Sequence, residues 1–139
     1  MEPEQIVTEV LLVVAAALID TQGRVLVQRR PPGSSLAGLW EFPGGKPERG
    51  ESPERALARE LDEELGISVG VSDLTASAFA SEPLGDRHLL LLLFACRVWA
   101  GAPQALHATE LRWVHLAELR ELEMPPADYP LIAALEKLL

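Results

Sequence analysis

The hydrophobic pattern divides the chain into two long apolar runs, several short alternating stretches and two amphipathic segments. Val7 to Ile19 is rich in Val, Leu and Ile, too short to span a bilayer and suited to a buried strand. Asp20-Thr21-Gln22-Gly23 signals a turn, and Arg24 to Arg29 (RVLVQR) alternates polar and apolar residues. That alternation predicts a half-exposed strand, and the two strands are expected to pair as a hairpin. Pro31 to Gly38 (PPGSSLAG) reads as a loop leading into the stretch Leu39 to Lys46 (LWEFPGGK). Further on, Leu74 to Ala80 is a strand candidate, Leu84 to Arg87 a turn, and His88 to Trp99 the longest apolar run, expected as a central strand. Gly101 to Ala108 is loop-like and Glu110 to Val114 a further strand. Leu116 to Leu122 predicts a short helix closed off by Pro125-Pro126, and Ala127 to Leu139 a terminal helix with Leu131, Ala134, Leu135 and Leu138 on one face.

One amphipathic segment carries more than packing information. Ser52 suits an N-cap, Pro53 the first helical position, and Glu54 adds negative charge to the first turn. Leu57, Leu61 and Leu65 make an apolar stripe, and Gly66 marks the stop, so residues 53 to 65 are expected to be helical. On that helix Glu60, Glu63 and Glu64 are spaced i, i+3 and i+4, which predicts that their carboxylates converge beside the stripe. Like charges repel at this spacing, and anions near a helix C-terminus oppose its dipole. A divalent cation would reverse both effects, and carboxylate oxygens with a carbonyl from Gly44-Gly45 form a hard donor set suited to Mg²⁺ or Mn²⁺. Taken alone, the acidic run reads first as a solvated face.

Composition narrows the setting. With 139 residues, 48% of them hydrophobic, the chain can build one core, and residues 1 to 139 are expected to form one domain. A net charge of −9 argues against a basic surface for nucleic acid polymers or anionic membranes. The opening MEPEQ lacks the basic flank of a signal peptide, and no apolar run reaches the ~18 residues of a membrane span, so a cytoplasmic protein is expected. Cys96, the sole cysteine, lies within LLLLLFACRVW and is expected to be a buried structural thiol.

The acidic helix and the glycines before it also match a longer pattern. Gly45, five residues, Glu51, seven residues, Arg59-Glu60-Leu61, any residue, Glu63-Glu64, any residue, and Gly66-Ile67 reproduce the signature of the Nudix hydrolases. Nine specified positions across 23 residues are far more specific than a short glycine motif. The chain is similar to the MutT branch of that family over most of its length. This resemblance implies an α/β (α+β) fold, with a mixed sheet sandwiched between the acidic helix and the C-terminal helix. It also implies hydrolysis of a nucleoside triphosphate to the monophosphate and pyrophosphate by a monomer using Mg²⁺, with Mn²⁺ as a substitute. An oxidised purine nucleotide such as 8-oxo-dGTP is the expected substrate, which would make the enzyme a sanitiser of the nucleotide pool. CTP or a modified dCTP is the alternative, and a non-catalytic nucleotide- or DNA-recognition module is a third reading.

Residue by residue, the resemblance implies metal ligation by the Gly44 carbonyl, Glu60, Glu63 and Glu64. Glu63 is the first choice for orienting or deprotonating water, and Arg59 is expected to pair with Glu51. Arg30 is expected to contact substrate, and Glu41, Phe42, Pro43 and Gly44 to line the base pocket. Phe42 reads equally as a stacking surface or a core aromatic, Trp40 as core, and Lys46 as a phosphate contact or a cover for its loop. Arg87 corresponds to an arginine near the base, while His88 reads as structural. Where MutT relatives carry a further loop glutamate this chain has His107, so either His107 or Glu110 is the candidate there. Asp128 stands where MutT has a base-reading asparagine, with a helix N-cap as the competing reading.

Overall fold

The structure, a computed structural model, describes residues 9–139. Its strands are β1 (Glu9–Leu18), β2 (Val25–Arg29), β3 (Trp40–Glu41), β4 (Gly44–Gly45), β5 (Thr75–Leu84), β6 (Arg87–Cys96) and β7 (Glu110–Val114). The helices are α1 (Pro53–Leu65), α2 (Leu116–Leu119) and α3 (Asp128–Leu138). The expected first strand begins at Val7, and its residues Val7 and Thr8 lie outside the described residues.

A mixed sheet of order β4-β1-β6-β5 forms the centre. β1 runs parallel to β6 in register from Glu9↔Arg87 to Leu18↔Cys96, and its other edge takes the short antiparallel β4. Because side chains alternate across a strand, β1 serves two cores. Ala15 and Ala17 pack with Leu131, Ile132 and Leu135 of α3, while Val14, Ala16 and Leu18 pack with Leu57, Leu61 and Leu65 of α1. The expected sandwich of a mixed sheet between these two helices is therefore present. The acidic helix starts and stops as predicted: Ser52 accepts a hydrogen bond from the Arg55 N–H at 3.2 Å, and Gly66 adopts φ 70°.

Several expectations change. β1 and β2 form no hairpin; they share the single bridge Ile19↔Val25 and then enter different sheets. The turn between them is real, with Asp20 Oδ1 accepting from the Gln22 and Arg24 N–H groups. Both edges of β1 are already taken by β4 and β6, so β2 instead joins β3 and β7 in a separate antiparallel sheet. β5 runs on to Leu84, beyond the predicted Ala80. The polar residues that disguised its second half sit on an edge strand, where only one side needs a partner. α2 stops at Leu119 rather than Leu122. On α3 the buried face is Leu131, Ile132 and Leu135, while Leu138 in the last turn is 51% exposed. Asp128 is not the N-cap: Ala127 holds that position with helical dihedrals, and the Asp128 carboxylate turns toward Phe42 instead. Cys96 is buried as expected. Among the described residues no helix is long and apolar enough to cross a membrane.

Candidate active site

Where the two sheets meet, a cavity of about 580 Å³ opens between the loop at residues 31–38 and the start of α3. One end is made by α1 and the glycines of β4. A Cβ on Gly45 would lie 2.4 Å from the Glu60 Cδ, so glycine lets the strand pass over that carboxylate without displacing it. A Cβ on Gly44 would lie 1.9 Å from the Val14 carbonyl oxygen, so the β1–β4 pairing requires glycine there as well. Glu64 Oε2 accepts from Gln28 Nε2 at 3.1 Å and from the Gly44 N–H at 3.4 Å. Burial pushes the Glu64 carboxyl up to about 7, with Glu60 and Glu41 adding to the rise. Burial also raises Glu60, against the pull of Arg59. Burial is the first cause of both rises, and of these two carboxyls Glu64 lines the cavity.

Arg59 organises the outer side of this cluster. Its guanidinium donates to both Glu51 oxygens at 2.8 and 2.9 Å, to the Lys46 carbonyl at 3.1 Å, to Glu60 at 3.1 Å and to Glu63 at 3.2 Å. The Glu51 pairing raises the Arg59 pKa above its ordinary value. Arg59 Nη1 bridges Glu60 and Glu63, the Glu63 side chain being 57% exposed, while Glu64 turns inward to Gln28 and Gly44. Among the described residues no three His, Cys, Asp or Glu side chains form a group able to hold an ion. Glu60 and Glu64 remain on the inner side, against Gly45 and Gly44.

The other end of the cavity is built by β2, β3 and α3. Arg30 Nη1 donates to both Glu41 oxygens at 2.8 Å, and its remaining donors reach the Ser35 carbonyl and hydroxyl, so Arg30 ties the 31–38 loop to β3. Burial raises Glu41, and Arg30 opposes the rise. Phe42 belongs to the core and also lines the cavity; Trp40 is core, flanked by Arg29 and Arg112. The Pro43 carbonyl is taken by the Ala16 N–H at 2.8 Å. Lys46, Arg87 and His107 all reach the cavity wall, whereas Glu110 pairs with Arg29 at 3.7 Å away from it. His88 bonds Ser81 across the β5–β6 hairpin and stays off the wall. Gln28 was not among the expected site residues: it follows Val25, Leu26 and Val27 in β2, is 3% exposed and is bonded to Glu64.

Asp128 closes this end, 6% exposed, accepting a long hydrogen bond from the Phe42 N–H at 3.4 Å. Burial pushes its carboxyl up to about 7, well above the ordinary aspartate range. The folded pKa is the higher one, so the folded state binds the extra proton. Its stability contribution is therefore full below pH about 4 and lost as pH rises through about 7. Asp128→Asn is expected to flatten stability across that window, as read by denaturant midpoints at stepped pH. An unchanged decline would show that other groups cause it.

Glu64, Gly44 and Gly45 thus share one cavity wall with the cationic side chains Lys46, Arg30 and Arg87. The chain belongs to the Nudix hydrolases: the NUDIX domain model matches residues 10–135. It is 39% identical over 124 residues to the CTP pyrophosphohydrolase of Escherichia coli (strain K12), covering 89% of this chain and 90% of the relative. It is 35% identical over 128 residues to the 8-oxo-dGTP diphosphatase of the same strain, covering 91% and 98%. The solution structure of the E. coli ORF135 protein superposes with a TM-score of 0.83 at 36% identity, covering 94% of this chain and 91% of that one. The protein is thus an enzyme of a family that generally works with a divalent metal.

Proposed function

We propose that this Nudix hydrolase is a Mg²⁺-dependent nucleoside triphosphate pyrophosphohydrolase of the MutT type, acting on oxidised purine nucleotides such as 8-oxo-dGTP. The observation that carries the reading is the buried Asp128 carboxyl at the closed end of the cavity, beside Phe42. Held neutral, a carboxyl offers one donor and one acceptor side by side. 8-Oxoguanine presents the matching pair, the O6 acceptor and the N7–H donor. Guanine has a bare N7 acceptor at the second position, which would leave two acceptors face to face at a buried site. Phe42 supplies an apolar surface for the base with Arg87 near it, and Lys46 supplies charge for the phosphates.

The residues present suit a divalent cation of the kind that takes one or two carboxylates and leaves its other positions to water and phosphate. Glu60 and Glu64 are hard oxygen donors whose raised pKa values call for positive charge, and Gly45 lacks the Cβ that would press on Glu60. Together with the Gly44 carbonyl and Glu63 they are the proposed ligands. Bound there, the ion would neutralise phosphate charge and lower the pKa of a coordinated water. Glu63, exposed on α1, is the proposed base for the water that attacks an internal phosphorus, with pyrophosphate leaving as the P–O bond breaks. Arg59 and Glu51 hold the glycine turn against α1.

A second reading, CTP or 5-methyl-dCTP as substrate, is favoured by the 39% identity to the CTP pyrophosphohydrolase. A cytosine also pairs an exocyclic N–H with a ring acceptor, so a neutral Asp128 suits it too. Measured kcat/KM on 8-oxo-dGTP, dGTP, CTP and 5-methyl-dCTP separates the two. The first reading expects 8-oxo-dGTP to exceed dGTP by about a hundredfold or more. Equal values for those two would sink it, and a clear preference for a cytosine nucleotide would install the second. The enzyme is proposed to act as a cytoplasmic monomer on free nucleotides, with neither nucleic acid polymer nor membrane as partner.

A further inference from the structure

Gln28 lies in the middle of the site and carries an unmet hydrogen-bonding demand. It follows three buried apolar residues, Val25, Leu26 and Val27, and is itself 3% exposed. β2 is clamped on both edges, with Gln28 opposite Glu41 on β3 and Leu111 on β7, so its Cα has little room to drift. The amide Nε2 donates to Glu64 Oε2 at 3.1 Å. Turning the amide over would set its oxygen against the ionised carboxylate, the form that binds a cation, acceptor to acceptor, so an ionised Glu64 dictates which way it faces. The consequence falls on Oε1. Among the described residues it is the one fully buried side-chain oxygen or nitrogen of a non-exposed residue without a hydrogen-bond partner.

Buried acceptors left without a donor are uncommon because each costs the lost hydration of the group. Gln28 lines the same cavity as Glu64, Gly44 and Gly45. A hydrated Mg²⁺ keeps several of its waters when bound by one or two carboxylates. Such a water has its lone pair on the metal and only donors to offer, so it needs an acceptor within reach. Resting on the reading that Glu60 and Glu64 hold a divalent cation, we infer that Gln28 is a positioning residue of that site. Its Nε2 fixes the Glu64 carboxylate, and its Oε1 accepts a hydrogen bond from a water of the hydrated ion. Partners of this kind typically govern metal affinity by about tenfold or more.

The test is Mn²⁺ titration of nucleotide-free protein, followed by the loss of the free-ion electron paramagnetic resonance signal. Metal-free thermal melts and steady-state kinetics accompany it. Gln28→Met has about the same length and lacks both donor and acceptor. It is expected to bind Mn²⁺ about tenfold more weakly, to melt within a few degrees of wild type without metal, and to lose kcat with little change in nucleotide KM. Wild-type Mn²⁺ affinity in that folded variant would overturn the inference. Should Gln28→Met not fold, Gln28→Leu, shorter by one heavy atom and equally without donor or acceptor, takes its place; the same loss of Mn²⁺ affinity is expected, and wild-type affinity in that variant would overturn the inference. Glu64→Gln separates the two levels. If it abolishes Mn²⁺ binding while Gln28→Met leaves it intact, only the role of Gln28 falls. If wild type and Glu64→Gln respond alike, the cation reading falls and takes the inference with it.

Discussion

Glu64→Gln is expected to lower Mg²⁺-dependent pyrophosphate release about a thousandfold, roughly 4 kcal/mol of transition-state stabilisation, while leaving the metal-free fold intact. Glu64 is half buried and pushed up to about 7 by that burial, with Glu60 and Glu41 close enough to raise it further. Without a cation the native state holds a carboxyl that resists charging, so a neutral amide of the same shape removes a cost at alkaline pH. Thermal melts at pH 8 without metal should therefore show the variant no less stable than wild type. Glu63→Gln should also keep the fold and abolish most turnover, by a different route. Its side chain is exposed and paired with Arg59 at 3.2 Å, an arrangement worth at most about 0.5 kcal/mol on a helix surface. Wild-type turnover in Glu63→Gln would defeat its assignment, and wild-type turnover in Glu64→Gln would defeat the cation site.

The adjacent glycines should fail in opposite ways. Gly44→Ala puts a methyl 1.9 Å from the Val14 carbonyl oxygen, a backbone atom of the central strand. Nothing nearby can yield without breaking the β1–β4 pairing, so a loss of about 3 kcal/mol is expected, roughly 10 °C in Tm. Gly45→Ala meets the Glu60 carboxylate at 2.4 Å instead, the far end of a side chain that can swing aside. That variant should lose about 1 kcal/mol or less of stability and yet bind Mn²⁺ about tenfold more weakly or worse. Denaturant melts and Mn²⁺ titration read the two effects separately. Equal destabilisation of both variants would mean that Glu60 is not free to move, and unchanged Mn²⁺ affinity in Gly45→Ala would remove Glu60 from the site.

Local chemistry was legible where local forces act alone. Ser52, Pro53 and Gly66 set the ends of α1 because caps depend on residues within one turn. The Leu57, Leu61 and Leu65 stripe predicted which face α1 buries. The β1–β2 hairpin failed because a turn signal specifies the reversal of the chain but not which edges are vacant, and β6, about 70 residues on, takes the edge of β1. The N-cap reading of Asp128 failed for a related reason: a capping residue and a buried carboxyl look the same until Phe42 is known to stand against it. Spacing put Glu60, Glu63 and Glu64 on one helix face but could not show that Glu64 would turn in to Gln28 and Gly44 while Arg59 held Glu60 and Glu63.

By itself the sequence determined the acidic helix, its glycine turn and the membership that follows from them, because these rest on contiguous residues whose spacing is the chemistry. Only the tertiary structure decided which carboxylates face the cavity, that Arg30 is engaged by Glu41 and Ser35, that His107 rather than Glu110 lines the wall, and that Gln28 stands behind Glu64. Those choices join residues from separate sheets and helices. They depend on burial and on which donor reaches which acceptor, quantities that exist only once the strands have been placed side by side.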